Sequence, residues 1–490
     1  MSGHPSLQNV PMSGISQTDC EVSGVLVTGL NPSLARLVMS YPDCSQQVPQ
    51  CDIRPAAGKG DLAAAAFLPR QGGGEGGSRN IFTVFWEEGV EGLLSMSDSA
   101  LAKSLLAMWR LSWSLQSSMY PHLKLSSMEL INEHSTTSKW LTSPTRCLAW
   151  HPHTAKLAIG HADDTVRVFS CSHSQTQPLL KHAAMKGVSC LAWKPCSASQ
   201  LAVGCVAGVM VWTVDPTSMV SRPSTSCVTK LQRPGHTPVT GLAWSPCGRL
   251  LATCSPADTN LIIWSPSSET CEPLRRVGGG GVSLVRWTRD MGKLFTATPG
   301  STFRVWSTDT WSCDRWTVGG GRGRVSAAAW SPDSSHLIFA TTEEAVLYCV
   351  SFLGEGEAAI PVMDLTKVAL ENGDIAGGLV QDIQWDPTGH RVAISFKDTP
   401  YICLLRSKPG PMVGRLSPVG WVVGRNGEIP SCMEFQQSPV ECGAVLTVAW
   451  EDGRVQHITM VFTLGEGGSM VDMNVAGGRE REVEELFTEY

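Results

Sequence analysis

The sequence predicts an all-β fold, a β-propeller of seven four-stranded blades, and three observations support this prediction. Apolar residues come in strand-length bursts separated by turn residues such as Ser-Pro-Cys-Gly. A short phrase that ends one of these bursts recurs seven times, each time around an aromatic residue. A second strand end follows each aromatic residue about nineteen positions later. Seven such repeats can close into a ring that leaves no long unpaired edge.

The recurring phrase fixes the position of each blade. Its clearest copies read Leu148-Ala-Trp-His-Pro152 and Leu242-Ala-Trp-Ser-Pro246. We expect the aromatic side chains to lie between neighbouring sheets as blade-core residues: Trp150, Trp193, Trp244, Trp287, Trp330, Trp385 and Phe435. Their positions differ by 43, 51, 43, 43, 55 and 50 residues. These spacings bracket the roughly 40 to 45 residues of a four-stranded blade, with insertions in three connections.

The third repeat is the most complete one. Asp258 precedes Trp264 by 6 positions, and His236 precedes the first aromatic residue of this repeat by 8. The pattern resembles a WD repeat, in which these three residues, together with Thr253 or Ser255, hold a turn against a neighbouring strand. A His and Asp pair also occurs in catalytic sites, but the nucleophile and oxyanion donors needed for chemistry do not accompany it. We therefore predict a structural role, within a seven-bladed WD-repeat β-propeller.

The two ends of the chain are expected to be flexible tails. Residues 1–80 are predicted to be mostly disordered, because Pro, Ser, Gln and Gly are frequent and periodicity is weak. One apolar burst, residues 24–29, is predicted as a strand. In propellers a strand from one terminus often completes the blade formed by the other, so we expect this strand to close the ring. Residues 465–490 are Gly-rich and then acidic, which favours a flexible acidic tail.

A short helical segment, residues 81–139, is predicted ahead of the ring, and residues 140–464 form the propeller itself. Within the segment, Leu101, Leu105 and Trp109 are among the apolar residues that recur at three- and four-residue spacing. Two interpretations of this amphipathic stretch stay open. It packs against the propeller, or it docks a partner or a membrane surface, with these three side chains as the candidate docking residues.

Composition and missing motifs exclude several function classes. A net charge of −6 argues against direct nucleic-acid binding as the main function. The 17 cysteines are scattered without a CxxC pair, which predicts free thiols in a reducing compartment. No signal peptide and no run of 18 apolar residues occurs, so we expect a cytosolic or nuclear chain that does not itself span a membrane. Phosphate-loop, zinc and hydrolase motifs are missing, so we predict no catalytic residue, no cofactor and no metal site.

Several phrases are more specific than a generic WD repeat: Ala149-Trp-His-Pro-His-Thr154, Asp163-Asp-Thr-Val-Arg-Val168, Pro234-Gly-His-Thr-Pro-Val239 and Leu486-Phe-Thr-Glu489. They resemble the aladin family of WD-repeat nucleoporins. The resemblance implies a non-enzymatic scaffold of the nuclear pore complex on the cytoplasmic side of the nuclear envelope. A transmembrane nucleoporin and other nuclear pore proteins would be its partners, so that membrane association is indirect. It also implies support of nuclear import, and further roles at spindle poles and in the cytoplasm.

Two rival functions are compatible with the same ring. A substrate receptor of a ubiquitin ligase would present a helical element to an adaptor. A propeller hydrolase would need carboxylates or histidines that converge on the central channel. A channel lined by Ser and aliphatic residues would therefore argue against the hydrolase.

Overall fold

The structure of the protein is a computed structural model. It describes residues 6–10, 17–22, 25–27, 41, 43–45, 125–170, 177–214, 220–275, 280–318, 323–353, 358–370, 372–407, 416–438, 440 and 443–462. The chain divides into two units, residues 47–126 and the remainder, and nearly all described residues belong to the latter.

The fold is a closed ring of seven sheets, which confirms the predicted seven-bladed β-propeller. Ahead of the ring lie β1 (Cys20–Val22), β2 (Val25–Val27) and the helix α1 (Ser127–His134). Blade 1 contains β3 (Thr145–Trp150), β4 (Lys156–His161), β5 (Val166–Ser170) and β6 (Leu179–Leu180); blade 2 contains β7 (Cys190–Trp193), β8 (Gln200–Cys205), β9 (Gly208–Thr213) and β10 (Val228–Leu231). Blade 3 contains β11 (Gly241–Trp244), β12 (Leu251–Cys254), β13 (Leu261–Ser265) and β14 (Thr270–Leu274); blade 4 contains β15 (Leu284–Trp287), β16 (Lys293–Ala297), β17 (Thr302–Ser307) and β18 (Ser312–Thr317).

The second half of the ring repeats this pattern, with one addition. Blade 5 contains β19 (Val325–Trp330), β20 (His336–Thr341), β21 (Val346–Ser351) and β22 (Ala359–Asp364), and a small hairpin follows it, β23 (Val368–Ala369) and β24 (Ile375–Ala376). Blade 6 contains β25 (Val380–Trp385), β26 (Arg391–Phe396), β27 (Tyr401–Arg406) and β28 (Ser417–Val423); blade 7 contains β29 (Pro430–Phe435), β30 (Gly443–Trp450) and β31 (Val455–Val461). Short 3-10 turns cover Leu7–Asn9, Thr225–Cys227 and Arg425–Gly427.

The first strand of each blade, called the inner strand below, lies next to the inner strands of both neighbouring blades. The inner strand of blade 7, β29, contacts that of blade 1, β3, so the ring is closed. Apolar side chains fill the space between adjacent sheets; Val166 of blade 1 and Trp212 of blade 2, for example, belong to one cluster. The interfaces between sheets are therefore apolar cores, where burial of apolar area is the main stabilising contribution.

The turn after the inner strand explains one of the punctuating glycines. Gly248 has φ +70°, in the left-handed region that favours glycine. A Cβ added there would also lie 2.5 Å from the carbonyl oxygen of Pro195 in the neighbouring turn. The Ser-Pro-Cys-Gly turn of blade 3 therefore packs closely against the turn of blade 2.

Blade 7 is completed by the N-terminal region, with a strand order that differs from our expectation. We expected residues 24–29 to close the ring. Instead β1 pairs in parallel with β31, Glu21 lying opposite Met460, and forms the fourth strand of the blade. The segment Val25–Val27 pairs with β1 and is the fifth, outermost strand. The sequence pattern missed β1 because it is three residues long and has an acidic residue at its centre.

Further parts of residues 1–80, which we expected to be mostly disordered, lie on the ring. Leu7 is buried in the core shared by blades 5 and 6. The Tyr41 ring stacks on the His457 imidazole with 4.6 Å between ring centres, and the Tyr41 hydroxyl donates to Gln436 Oε1 at 2.7 Å. These contacts join residues that are hundreds of positions apart, so no local periodicity announces them.

The predicted helical segment, residues 81–139, is described only at its end. The helix α1 occupies Ser127–His134 and buries Leu130 and Ile131. The stretch at residues 99–119, with Leu101, Leu105 and Trp109, lies outside the described residues, as does the acidic tail at 465–490.

Candidate binding site in the central channel

The predicted polar set of blade 3 forms one hydrogen-bonded chain. His236 Nδ1 lies 2.8 Å from Asp258 Oδ2, His236 Nε2 lies 2.9 Å from Thr253 Oγ1, and Trp264 Nε1 donates to the same hydroxyl at 3.0 Å. The sequence left Thr253 and Ser255 as alternatives, and the structure uses Thr253. Because the Asp258 carboxylate only accepts, His236 Nδ1 carries a proton and donates to it.

The electrostatics of this hydrogen-bonded set favour a fixed structural arrangement. Burial acts to raise the pKa of Asp258, but the hydrogen bonds from His236 and Asn260 outweigh it and hold that pKa below its usual value. The polar side-chain atoms of this hydrogen-bonded set are all engaged, and the His236 side chain is 2 % exposed. The arrangement ties the turn before β11 to β12 and β13, so it stabilises the blade.

The seven blade-core aromatic residues lie at the ends of the inner strands. Five are buried, Trp150, Trp193, Trp244, Trp330 and Phe435, and two are half-buried, Trp287 and Trp385. Three indoles donate to the preceding blade at one equivalent place, the residue just before that blade's own aromatic: Trp193 to Ala149, Trp244 to Ala192 and Trp330 to Arg286, at 3.0, 3.1 and 3.2 Å. These three indoles therefore join neighbouring blades.

The central channel contains a polar cluster that our sequence interpretation missed. A cavity of about 350 Å³ runs along the inner strands, and Arg286, Asp382, Gln384 and Glu434 are among its lining residues. Asp382 Oδ2 accepts from Gln384 Nε2 at 2.8 Å, and Glu434 Oε2 accepts from the backbone N–H of Trp150 at 3.1 Å. We call these four residues the channel cluster.

A sequence signal for the channel cluster was present in the recurring phrase. The residue before the first aromatic is alanine in four blades, but it is Arg286, Gln384 and Glu434 in blades 4, 6 and 7. Three departures at a single repeat position, inside an apolar strand, are the pattern that identifies the site.

The carboxyl groups of the channel cluster have raised pKa values. Burial is the main cause for both, and it raises the pKa of Asp382 to about 6 and that of Glu434 to about 8. The Arg286 guanidinium and local hydrogen bonds act in the opposite direction without cancelling the effect. Near neutral pH the Glu434 carboxyl group is therefore largely protonated.

One end of the channel is covered by residues 127–138, which we call the cap. Arg324 of blade 5 donates to the Glu133 carboxylate at 2.8 Å, and Gln381 of blade 6 donates to the Ser135 carbonyl at 3.2 Å. Thr137 Oγ1 donates to a backbone carbonyl of blade 1 at 2.6 Å, and the Ser138 N–H donates to one of blade 7 at 2.7 Å. Contacts with four blades hold the cap across this end of the ring.

The opposite end of the channel, which we call the turn end, lies where the inner strands enter their turns. Pro152 and Pro195 line the cavity there, together with Gln437. Arg289 of blade 4 reaches across this end, donating to the Pro387 carbonyl and to Gln437 Oε1, both at 2.9 Å. One exposed arginine therefore crosses this end, with two of its donors engaged.

These observations bear on the other predictions. The hydrolase alternative required titratable groups in the channel, and Asp382 and Glu434 meet that requirement.

Within the described ranges, no group of three or more His, Cys, Asp or Glu side chains is arranged to hold a metal ion. The cysteines that the structure describes are free thiols. No helix in the described part of the chain has the length and apolar character needed to cross a bilayer.

Comparison with known proteins identifies a family and a curated relative. The sequence model of one family, described as the Aladin seven-bladed propeller, matches residues 126–461, which include the cap and every strand of the seven blades except β1 and β2. A curated protein named Aladin from Arabidopsis thaliana is 28% identical over 344 residues, which covers 64% of this chain and 75% of that protein.

Proposed function

Because the chain belongs to the aladin family of seven-bladed propellers, we propose that it is a non-enzymatic scaffold or adaptor of the nuclear pore complex. The observation that carries this proposal is the extent of the family match, residues 126–461, which is the part of the chain that forms the cap and the ring. A closed ring presents loops and blade edges around its whole circumference. Such a surface suits a protein that holds several partners together.

The finer parts of the proposal concern location and partners. We propose that a transmembrane nucleoporin holds the protein at the nuclear envelope, on the cytoplasmic side of the pore, and that the assembly supports nuclear import. Action at spindle poles and in the cytoplasm is a further part of the proposal. The likeness of the sequence phrases to the family supports these statements, together with the family match that covers the ring.

The test is the position of the tagged full-length chain in interphase cells. We expect a nuclear-rim signal in untreated cells. The membrane nucleoporins are then depleted one at a time, and we expect the rim signal to be lost on depletion of the one that holds the protein at the envelope. A diffuse cytosolic signal in untreated cells would contradict the proposal. Affinity purification from the same cells separates the ubiquitin-ligase alternative, because that function predicts ligase adaptors and no pore proteins among the captured partners.

The docking residues predicted from sequence give a sharper version of this test. If residues 99–119 form a partner-docking helix, Leu105→Glu places a charge in its apolar stripe and disperses the rim signal. Lys103→Glu is the matched control, since position 103 lies off that stripe. Equal loss in both variants, or retention in both, would contradict docking through Leu101, Leu105 and Trp109.

A further inference from the structure

The channel cluster departs from the symmetry of the ring in a way that blade stability does not require. Alanine occupies the position before the first aromatic in four blades: Ala149, Ala192, Ala243 and Ala329. The same position is Arg286, Gln384 and Glu434 in the remaining blades, and Asp382 lies two residues before Gln384 on the same side of its strand. A core built only for packing would avoid charges here, because burying them costs free energy.

One carboxylate oxygen of the cluster lacks a hydrogen-bond partner among the described residues. Asp382 is 4 % exposed, and its Oδ1 atom has no hydrogen-bond partner among the described residues. Its other oxygen accepts from Gln384 Nε2 at 2.8 Å. A buried acceptor without a donor is rare in folded proteins, and it indicates that a donor arrives from outside the chain. Because Asp382 lines the channel cavity, the donor arrives in the channel.

Charge indicates what kind of donor fits. Two carboxyl groups, Asp382 and Glu434, share the channel with a single guanidinium, and Arg286 donates to the Val285 carbonyl at 3.1 Å. Arg286 forms no ion pair with either carboxylate among the described residues. The other titratable groups that line the cavity are thiols, Cys147, Cys190 and Cys432, whose pKa values burial raises, and the imidazole of His134 in the cap. The ionised cluster is thus short of one positive charge.

We propose that the central channel binds an organic cation, an ammonium or guanidinium group, through Asp382 and Glu434. The cation enters at the turn end, supplies the donor that Asp382 Oδ1 lacks, and forms charge-assisted hydrogen bonds with both carboxylates. The cavity of about 350 Å³ falls within the size range of small-ligand sites. The same chemistry is available from a free diamine and from a lysine or arginine side chain of a partner, and the experiment separates these two sources.

The experiment is isothermal titration calorimetry on the full chain with two probes, putrescine and the blocked peptide acetyl-Gly-Lys-Gly-amide. Titrations are made at about pH 8.5, where both carboxylates are largely ionised and the amines are still protonated. We expect saturable binding of at least one probe. Asp382→Asn and Glu434→Gln each weaken it by about tenfold or more, because each removes a charge-assisted contact from a buried site.

Two further variants distinguish this site from general attraction of cations. Arg286→Met removes the like charge and is expected to tighten binding severalfold, whereas the two carboxamide variants weaken it. Glu272→Gln is the matched control, since Glu272 is exposed on β14 and lies outside the channel. Binding is also expected to strengthen from about pH 6 to about pH 8.5 and to release protons near neutrality, measured as a dependence of the heat on the buffer used.

The outcomes decide both the site and the source. Binding of putrescine alone identifies a free diamine as the ligand class, and binding of the peptide at similar strength identifies a partner's side chain. Saturation by neither probe overturns the proposal, as does binding that Asp382→Asn and Glu434→Gln leave unchanged. Both carboxamide variants preserve shape and remove a buried charge, so they are expected to fold. The site is independent of where in the cell the chain resides, so a failed localisation test leaves it standing.

Discussion

The ion pair between Glu21 and Arg391 is the most deeply buried one among the described residues. Both side chains are 0 % exposed, and the contact is bidentate, with Arg391 Nη2 and Nε at 2.7 and 3.1 Å from the two Glu21 oxygens. Phe462 lies beneath the guanidinium, 4.6 Å from its carbon to the ring centre. The pair joins the N-terminal strand of blade 7 to blade 6, so its energetic role can be measured apart from local packing.

Glu21→Leu is expected to lower the free energy of unfolding by about 3 to 5 kcal/mol, because it removes the carboxylate that forms the buried ion pair with Arg391. Glu21→Leu combined with Arg391→Met is expected to recover much of that loss, since no charge then remains to be compensated. Urea unfolding of the full chain gives both values. For comparison, Glu451 and Lys139 form an exposed pair at 3.7 Å, and Glu451→Leu is expected to cost less than about 1 kcal/mol. Equal effects at the two pairs would contradict the buried-pair account.

The raised pKa of Glu434 predicts how the stability of the fold depends on pH. Its folded pKa, raised by burial to about 8, lies above the unfolded value, so the folded state keeps a proton that the unfolded state releases. The free energy of unfolding therefore falls as pH rises from about 4.5 to about 8, by at most about 1.4 kcal/mol per pH unit from this group.

Glu434→Gln removes this contribution and is expected to lose less stability than the wild type over that interval. The measurement is urea unfolding at several pH values, read as the difference between the two proteins. Asp382→Asn provides a second curve whose change lies lower, between about pH 4 and about pH 6, because the raised pKa of Asp382 is about 6. Difference curves without slope in these windows would show that neither carboxyl group is desolvated in the folded state.

At the scale of the inner strand, two tryptophans at the same repeat position make different indole contacts. Trp244 is 6 % exposed and donates to Ala192 of blade 2, whereas the half-buried Trp287 donates to Met291 of its own hairpin at 3.4 Å. Only the first of these tryptophans joins two blades through its indole. Two residues at the same repeat position therefore differ in what they hold together.

Trp244→Ala is expected to lower the free energy of unfolding by about 3 to 5 kcal/mol, since it removes a large buried side chain. Trp244→Phe keeps much of the apolar contact but loses the hydrogen bond to Ala192. We expect it to lower the free energy of unfolding by about 1 kcal/mol. Trp287→Ala is expected to cost less than Trp244→Ala because its side chain is less buried. Thermal and urea unfolding provide the values, and a loss under about 1 kcal/mol for Trp244→Ala would refute the role of this residue in the blade interface.

The strands of the ring were predictable because each carries its information locally. Apolar bursts, turn residues and the aromatic at the end of each inner strand recur often enough to fix seven blades. The strand β1 was not predictable in this way, since its stabilising partners, Met460 along the strand and Arg391 beneath it, are more than 350 positions away. The identity of Thr253 as the hydroxyl of the polar set was open for a different reason: both candidates lie near His236 in sequence, and only packing distinguishes them.

At the scale of the whole molecule, the repeats predicted a symmetric ring and the structure adds its asymmetry. The cap covers one end, Arg289 crosses the other, and polar side chains of blades 4, 6 and 7 occupy a repeat position that is alanine in the other four blades. Symmetric repeat positions determine where the blades are, whereas deviations at those positions determine where a ligand fits. Channel residues such as Glu434 should therefore be sought in repeat sequences as departures from a consensus.

Closure of the ring gives the last prediction. Because β1 covers the edge of β31 and carries Glu21, a variant that lacks residues 20–27 loses both the edge pairing and the partner of Arg391. We expect its thermal midpoint to fall by about 5 to 10 °C. Hydrogen exchange is expected to rise in Gly443–Val461 while blades 2 to 4 keep their protection, since an open ring frays from its free edge. The control lacks an equal number of residues, 72–79, from the Gly-rich run. An unchanged midpoint, or a uniform rise in exchange across all blades, would show that β1 does not close the ring.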